Sequence, residues 1–497
     1  MSTYDIIVVG GGGTGLMAAW AAAKEGRTVL LLEKGARLGG TTAMSVGTIT
    51  ATATRLQRAA GIDDNADAHF EDMAKFAGPL VNRDNLELRR LLVDNSRETV
   101  EILADLGVVF VGPMPEPPHR HPRMHAIIPH SRGFIRQLEK ACRQQGIEIR
   151  TGAPAASLLF ENGRVAGVKL QGGGQAGARC AVILASGDIS SSPLHYKSRF
   201  MSGPLLDISG INALSTGDGQ RMGEEVGGVV VNGDLAWGPE IRFKAPPVPG
   251  IISKLPPWPI LARLIRTSMK VLPDAVMRPF LLGFVTTFLA PSMLLFRKGA
   301  ILVNDIGERF CNELERPQDH IGRQPGKQAW IVLGAEVAAQ FRTYPNFIST
   351  APGVGYAYLQ EYERTRPDVV RKADSLAELA RMMSVPESAL QRSVADFNAS
   401  LAPGDERLPM SSGPYYALGP AISWIVFSEG GLKVDTSLRA LDRDGHPIPG
   451  LYAAGSAGQG GVLLEGHGHH LGWAFTSGRL VGRNAARERA VQTSDAA

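Results

Sequence analysis

Two hydrophobic patterns alternate along the chain, and the first 35 residues contain both. Ile6 to Val9 is a short unbroken apolar run, the pattern of a strand buried on both faces. Leu16 to Lys24 has the Ala-rich composition of a helix, and Thr28 to Leu32 is a second apolar run that ends at Glu33. Between the first strand and the helix stand four consecutive glycines, Gly10 to Gly13, and Gly10, Gly12 and Gly15 fall at GxGxxG spacing. Glycines are entropically costly to order, so bare backbone is needed there. In a strand–helix–strand unit the first glycine makes the turn, the second admits a pyrophosphate and the third packs helix on strand. The helix N-terminus then faces the phosphates, and Glu33 is placed to bind two ribose hydroxyls. The whole context predicts a dinucleotide site.

The pattern continues in the same style. Residues 67 to 107 read as helical, SRGFIRQLEKACRQQGIEIRTG as helix then strand, and SLLFENGRVAGVKLQGG as a hairpin turning at Asn162-Gly163. CAVILASGD is another buried strand, and STGDGQRMGEEVGG a loop that opens a helix. From about residue 236 the character changes to proline-rich, then apolar and basic, then SLAELARMMSVPESALQRSVADFNASL, two helices with a polar break. Strand-like, glycine-punctuated sequence returns from Gly413. The fold class expected is α/β: a Rossmann-like nucleotide-binding domain with a parallel sheet, split by an inserted α+β cap. Residues 1–235 and 409–497 form the two parts of the nucleotide-binding domain, and 236–408 the cap or substrate domain.

Composition adds compartment and partners. Three cysteines, Cys142, Cys180 and Cys311, show no CxxC or CxxCH, which excludes structural zinc on cysteine, covalent haem and a ferredoxin-like cluster, and suits a reducing compartment. The first strand begins by residue 5, leaving no space for a signal peptide within the chain, so a cytoplasmic protein is expected. The net charge of +4 is local: residues 246–298 hold seven basic residues against Asp274 alone. No nucleic-acid partner follows from such a distribution. The same segment contains an uncharged run from Pro279 to Phe296, broken by two prolines and a glycine, which argues against a spanning helix. Two readings stay open, a helical hairpin buried in the cap or a peripheral contact of 251–296 with the inner face of a membrane. In the second, Trp258, Phe280 and Phe284 enter the lipid.

The motifs VVGGGGTGLMAA, EKGARLGGTTAMSVG, VILASGD, TGDGQRMG, GAILVNDIGERFCNE, GPYYAL, GGLKVD and DGHPIPGLYAAGSAG occur in order along nearly the whole chain. In this the chain resembles the succinate dehydrogenase/fumarate reductase flavoprotein superfamily, in its single-chain branch similar to 3-ketosteroid Δ1-dehydrogenase. The resemblance implies FAD, with Gly10, Gly12, Gly13, Thr14 and Gly15 at the pyrophosphate and Glu33 with Lys34 at the adenosine ribose. It places Gly40, Thr41, Thr42, Ser45 and Gly47 on the phosphate and isoalloxazine side, and Ala155 at the adenine. Ala185, Ser186 and Gly187 close the nucleotide pocket, Asp218 makes a further contact, and Gly455, Ser456, Leu471 and Gly472 approach the ribityl chain and pyrimidine edge. The loop after the second strand, where the family's attachment histidine lies, has none here, so non-covalent FAD is expected.

Flavin chemistry on a C–C bond needs an acid or base and groups that polarise the activating carbonyl. LLEGHGHHLG supplies Glu465, His467, His469 and His470 within six residues. Spacing of i, i+2, i+3 in a glycine-rich loop is not a ligand pattern, and no metal is expected. His467, His470 and Glu465 are the candidate catalytic groups, with Arg316, one residue short of the fumarate reductase acid after RFxNE. The tyrosines of steroid Δ1-dehydrogenases have no counterpart at the matching places. HRHPRMHAIIPHSRG is a second histidine cluster, read as a solvated basic loop. The function expected is dehydrogenation or reduction of a C–C bond next to a carbonyl in a hydrophobic, steroid- or terpenoid-like substrate. The alternatives are a fumarate-reductase-like enoate reductase, or a membrane-docked flavoprotein passing electrons to a quinone or partner. The electron partner is left open.

Overall fold

The computed structural model describes residues 2–247, 254–272, 285–287, 289–351 and 355–490. Its main sheet runs Arg439–Leu441, Pro447–Ala453, Gln175–Leu184, Ser2–Val9, Val29–Glu33, Glu148–Thr151. All neighbours after the first pair are parallel, with Ile6 opposite Val29 on one side and Ala181 on the other. Ile6, Ile7 and Val8 are wholly buried, as continuous apolar strands of a sheet covered on both faces must be. The hairpin Ala155–Glu161/Arg164–Leu170 pairs with the first residues of the central strand Gln175–Leu184, turning at Asn162 and Gly163, both with positive φ. The expected helices form at Gly13–Lys24, Ala66–Ala77, Leu86–Asp105 and Arg132–Gln144, the second and third capped by Asn65 and Asn85 side chains.

A second sheet, Glu240–Phe243, Tyr415–Trp424, Ala329–Leu333, Ile301–Asn304, with Val370–Ala373 beside Tyr415–Trp424, carries its own buried core. Its central strand lies beyond residue 408, so the inserted body extends further than the sequence suggests. Two short antiparallel pairs, Val230–Val231 with Gly431–Leu432 and Ala236–Trp237 with Phe427–Ser428, mark where the chain leaves and re-enters. Residues 255–257 lie on the first body: His130 Nε2 donates to Leu255 O and Gln137 Nε2 to Pro257 O.

The apolar basic segment divides. Val285, Leu295 and Phe296 are buried in the second core. The helix Pro259–Val271 instead leaves Ile260, Leu264 and Val271 exposed at 73%, 61% and 75%. Phe280 and Phe284 lie outside the described residues. Among the described residues no helix is long and apolar enough to cross a membrane.

The packing that closes the first body is between Gly13–Lys24 and the last helix, His469–Ala486. It is made of small residues. A Cβ at Gly482 would stand 2.3 Å from Ala18 O, and one at Gly478 2.6 Å from Thr14 O. In a free helix alanine is better than glycine by about 1 kcal/mol. Here overpacking against backbone, about 1–3 kcal/mol, should win. Gly482→Ala is therefore expected to lower the thermal midpoint of the protein, and an unchanged or raised midpoint would show that the two helices can part without cost.

Candidate functional site

One long cleft runs along the C-terminal ends of the main strands, where the order reverses around the first strand. Gly10, Gly12, Gly13, Thr14, Glu33, Lys34, Gly40, Thr41, Thr42, Ser45, Gly47, Ala155, Ala185, Ser186, Gly187, Asp218, Ser456 and Leu471 line it, as do His467 and His470. The first helix starts at Gly12 without a side-chain cap and with no acid in its first turn. Gly13 N donates to Thr42 Oγ1 at 3.2 Å, so the short helix Gly40–Met44 is tied to it. At Gly10, φ is +113° and a Cβ would stand 2.3 Å from Ala185 O, so no other residue serves. Glu33 is buried, its two oxygens accepting from Gly11 N at 2.7 Å and Gly35 N at 2.6 Å. Those bonds fix the carboxylate at the cleft wall and leave it lone pairs for hydroxyl donors. Lys34 Nζ reaches Asp218 Oδ2 at 2.7 Å, locking the second strand to the helix Asp218–Glu225.

Three expected cofactor residues do not line the cleft. A Cβ on Gly15 would fall 1.8 Å from Gly10 O, so this glycine lets the helix pack on the turn. Gly455 is pressed against Thr14 Oγ1 and donates to Ser477 Oγ, and Gly472 packs on Thr50. Each shapes the wall from behind.

The other end of the cleft carries Trp237, Glu240, Arg242, Leu289, Val426, Phe427, His467 and His470. His467 precedes the last helix, and its side chain is 53% exposed to the cleft. Its Nδ1–H donates to Glu116 Oε1 at 2.5 Å, and its backbone N–H donates to the same oxygen at 2.8 Å. The hydrogen bond to Glu116 raises the imidazole above its usual pKa against the opposing effect of burial. Glu240 and Arg242 also act on it, and Arg242 donates to Glu240 at 2.8 Å. His470 Nε2 lies 3.3 Å from Glu429 Oε1, with its ring against Phe427.

Two expected catalytic groups are elsewhere. Arg316 is 65% exposed and donates to Asp319 Oδ2 at 2.7 Å, outside the cleft, because the RFCNELER turn carries it to the surface. Glu465 does not line the cleft: its carbonyl accepts from His469 Nδ1, and burial and Glu429 raise its carboxyl pKa. Arg479 is buried against Thr99, Asn95 and Glu98. The basic loop read as solvated is largely buried, with Arg123 paired to Asp64 and Asp72. Glu116 was missed by sequence reasoning: 351 residues separate it from His467, and PMPEPPH offers no periodic signal.

The family model described as FAD binding domain matches residues 5–247 and 286–464. Over 98% of the chain and 75% of the relative, the sequence is 27% identical to the probable fumarate reductase Ifc3 of Shewanella frigidimarina. It is 25% identical to the NADH:fumarate oxidoreductase of Klebsiella pneumoniae, of which it spans about half (48%), covering 98% of this chain. It is 25% identical to the 4-oxocyclohexanecarboxylate 2-dehydrogenase of Sinomonas cyclohexanicum over 100% of this chain and 95% of that one. Among solved structures, the open conformation of a flavocytochrome c3 fumarate reductase superposes with a TM-score of 0.72 at 24% identity, covering 98% of this chain and 78% of that one. The 3-ketosteroid Δ1-dehydrogenase of Sterolibacterium denitrificans gives 0.64 at 18%, covering 98% and 100%.

The cleft fits FAD. Its uncapped helix end, Cβ-free turn and buried carboxylate are the donor and acceptor set of a dinucleotide's pyrophosphate and ribose. A Cβ at Gly12, which lines the cleft, would have Gly39 O as its one neighbour within 4 Å, at 3.9 Å. Gly12→Val is expected to fold with its thermal transition still cooperative but to purify without the yellow cofactor. Retained FAD would remove the cradle from the binding site.

Proposed function

Because this chain belongs to the FAD binding domain family and is an FAD-dependent oxidoreductase acting on CH–CH groups, we propose that it interconverts a C–C single and double bond beside a carbonyl in a largely apolar substrate. The observation that carries this reading is the His467–Glu116 pair facing a wall of Trp237, Leu289, Val426 and Phe427. Bound FAD supplies the two-electron hydride chemistry. The chain supplies the rest. Glu116 fixes the ring through Nδ1, so Nε2 is the atom left for a substrate proton or carbonyl oxygen. A raised pKa keeps a larger fraction of His467 protonated near neutrality, which suits delivery of a proton in the reducing direction or polarisation of a carbonyl in either. The N-terminus of the last helix, with Leu471 at the cleft, favours negative charge developing there.

The residues of the wall support this substrate class. Arg242 is engaged with Glu240, so the far end presents an ion pair and aromatic rings, which favours one polar handle on an apolar body. A small dicarboxylate, as in a fumarate-reductase-like enoate reductase, would ask for more cationic contacts. A steroid- or terpenoid-like ketone is the better match, and the named relatives include both reductases and a dehydrogenase.

A peripheral contact with anionic lipid is the second part of this reading. It is supported by the exposed Trp258, Ile260, Leu264 and Val271 on one short segment, beside Arg263 and Arg266. That would bring an apolar substrate, or a quinone as electron partner, to the protein from the bilayer.

Three measurements test the reading. His467→Ala should retain FAD yet lower kcat about 100-fold or more. In wild type, turnover that depends on the imidazolium should fall as pH rises through a value above the ordinary histidine pKa of about 6.5. Glu116→Gln removes the raising charge and should move that fall to lower pH. Equal pH profiles in the two proteins would take Glu116 out of the mechanism. For the lipid contact, flotation with anionic vesicles should carry wild type and leave Ile260→Asp/Leu264→Asp behind; wild type that stays at the bottom removes the membrane.

A further inference from the structure

Of the three histidines of GHGHH, His467 and His470 line the cleft, while His469 turns away from it into a buried cluster with His69 and His119. His69 lies on the helix Ala66–Ala77, His119 in the loop before Arg123, and His469 on the first residue of the last helix. One ligand-capable atom from each lies within 4.8 Å of the others, and the ring centroids are 5.1 to 5.7 Å apart. His69 and His469 are wholly buried and His119 is 9% exposed.

Four ring nitrogens there have no partner: Nδ1 and Nε2 of His69, Nε2 of His119 and Nε2 of His469. Leaving a buried polar atom unpaired is costly, and native proteins rarely gather several in one spot. Something polar belongs between the rings.

We propose that His69, His119 and His469 form a binding site for a divalent first-row transition ion, of which zinc is the representative. His469 has the arrangement of a ligand already: Nδ1–H donates to Glu465 O, which holds the tautomer whose Nε2 lone pair aims inward. His119 Nδ1 accepts from Arg123 Nη1 at 2.9 Å, and the same Arg123 nitrogen donates to Asp72 Oδ2 at 2.6 Å. Ligation through Nε2 would put the ring proton on Nδ1, and Arg123 Nη1 would then give up its bond to the ring and keep the one to Asp72. Tetrahedral bonds of about 2.0–2.1 Å put ligand nitrogens about 3.3 Å apart, so each ring must close in by less than about 1 Å.

Arg123 is paired with Asp64 and Asp72, and Asp72 also accepts from Lys75 and Arg120. Glu116 keeps its second oxygen buried and unpartnered. The ion would pin the Ala66–Ala77 helix, the 115–123 loop and the last helix to one another. Those are the elements that hold Glu116 against His467. Its role is to position the pair, not to meet substrate.

The test uses the full chain loaded with FAD, stripped by chelator and titrated with Zn²⁺ by calorimetry, then with Co²⁺ by absorbance. One equivalent is expected in wild type, with the intense visible bands of a nitrogen-ligated tetrahedral Co²⁺ ion. His69→Phe should lose that equivalent, and His446→Ala, in the exposed Asp442, Asp444, His446 group, should keep it. Loss in His446→Ala alone, or equal uptake by wild type and His69→Phe, overturns the proposal. Should His69→Phe fail to fold, the wild-type Co²⁺ spectrum decides: weak octahedral bands, or none, overturn it, and a cluster filled only by water is then the explanation of the orphaned nitrogens.

Discussion

The structure turns on the contact between its first and last helices. Gly13–Lys24 and His469–Ala486 approach so closely that glycines at 478 and 482 lie over the backbone of Thr14 and Ala18. That contact fixes where both helix N-termini point. One carries the glycine cradle and the other is preceded by His467, and the same cleft receives both. Ser477 Oγ accepts from Gly455 N, and Trp473 Nε1 donates to Gly455 O, so the loop after the Pro447–Ala453 strand is held by the same helix. Cofactor binding and proton chemistry therefore share one rigid frame, and a shift in helix spacing would disturb both.

Within that frame, what distinguishes one histidine from another is the company of a carboxylate rather than depth. His69, His119, His125 and His469 are buried and all are driven towards the neutral form by loss of water. His467 meets the same opposing effect, but the hydrogen bond from its ring to Glu116 outweighs it. Two residues apart along the chain, His467 and His469 thus serve opposite needs: one is pushed towards its protonated form at the cleft, the other towards its neutral form in the interior. The left-handed Gly468 between them, at φ +91°, allows the chain to send them in different directions.

This explains which features were legible in the sequence. The cradle was, because turn, helix and acid lie within 35 residues and each glycine answers to a local steric demand. The FAD fold was, because its motifs recur in order. The role of Arg316 was misjudged because position relative to RFCNE says nothing about which way the following turn faces. Glu116 was invisible because its meaning comes from a partner 351 residues away. The apolar basic segment looked uniform in composition, yet Val285, Leu295 and Phe296 pack into the second core while Ile260 and Leu264 stay outside. Hydrophobicity alone cannot tell a core residue from a surface that meets lipid.

The same reasoning bears on the buried histidines. In a linear reading GHGHH is one cluster and HRHPRMH another, and neither has the spacing of metal ligands. Folding redistributes them, taking one member from each and adding His69 from a third element. Sites built from single residues of distant elements leave no spacing pattern, so their signature is an unmet physical demand in the folded chain. Here that demand is four buried nitrogens without partners, set between the elements that hold His467 against Glu116. A cation bound at that point would join all three elements at once, where Arg123–Asp72 and His467–Glu116 now link them in pairs.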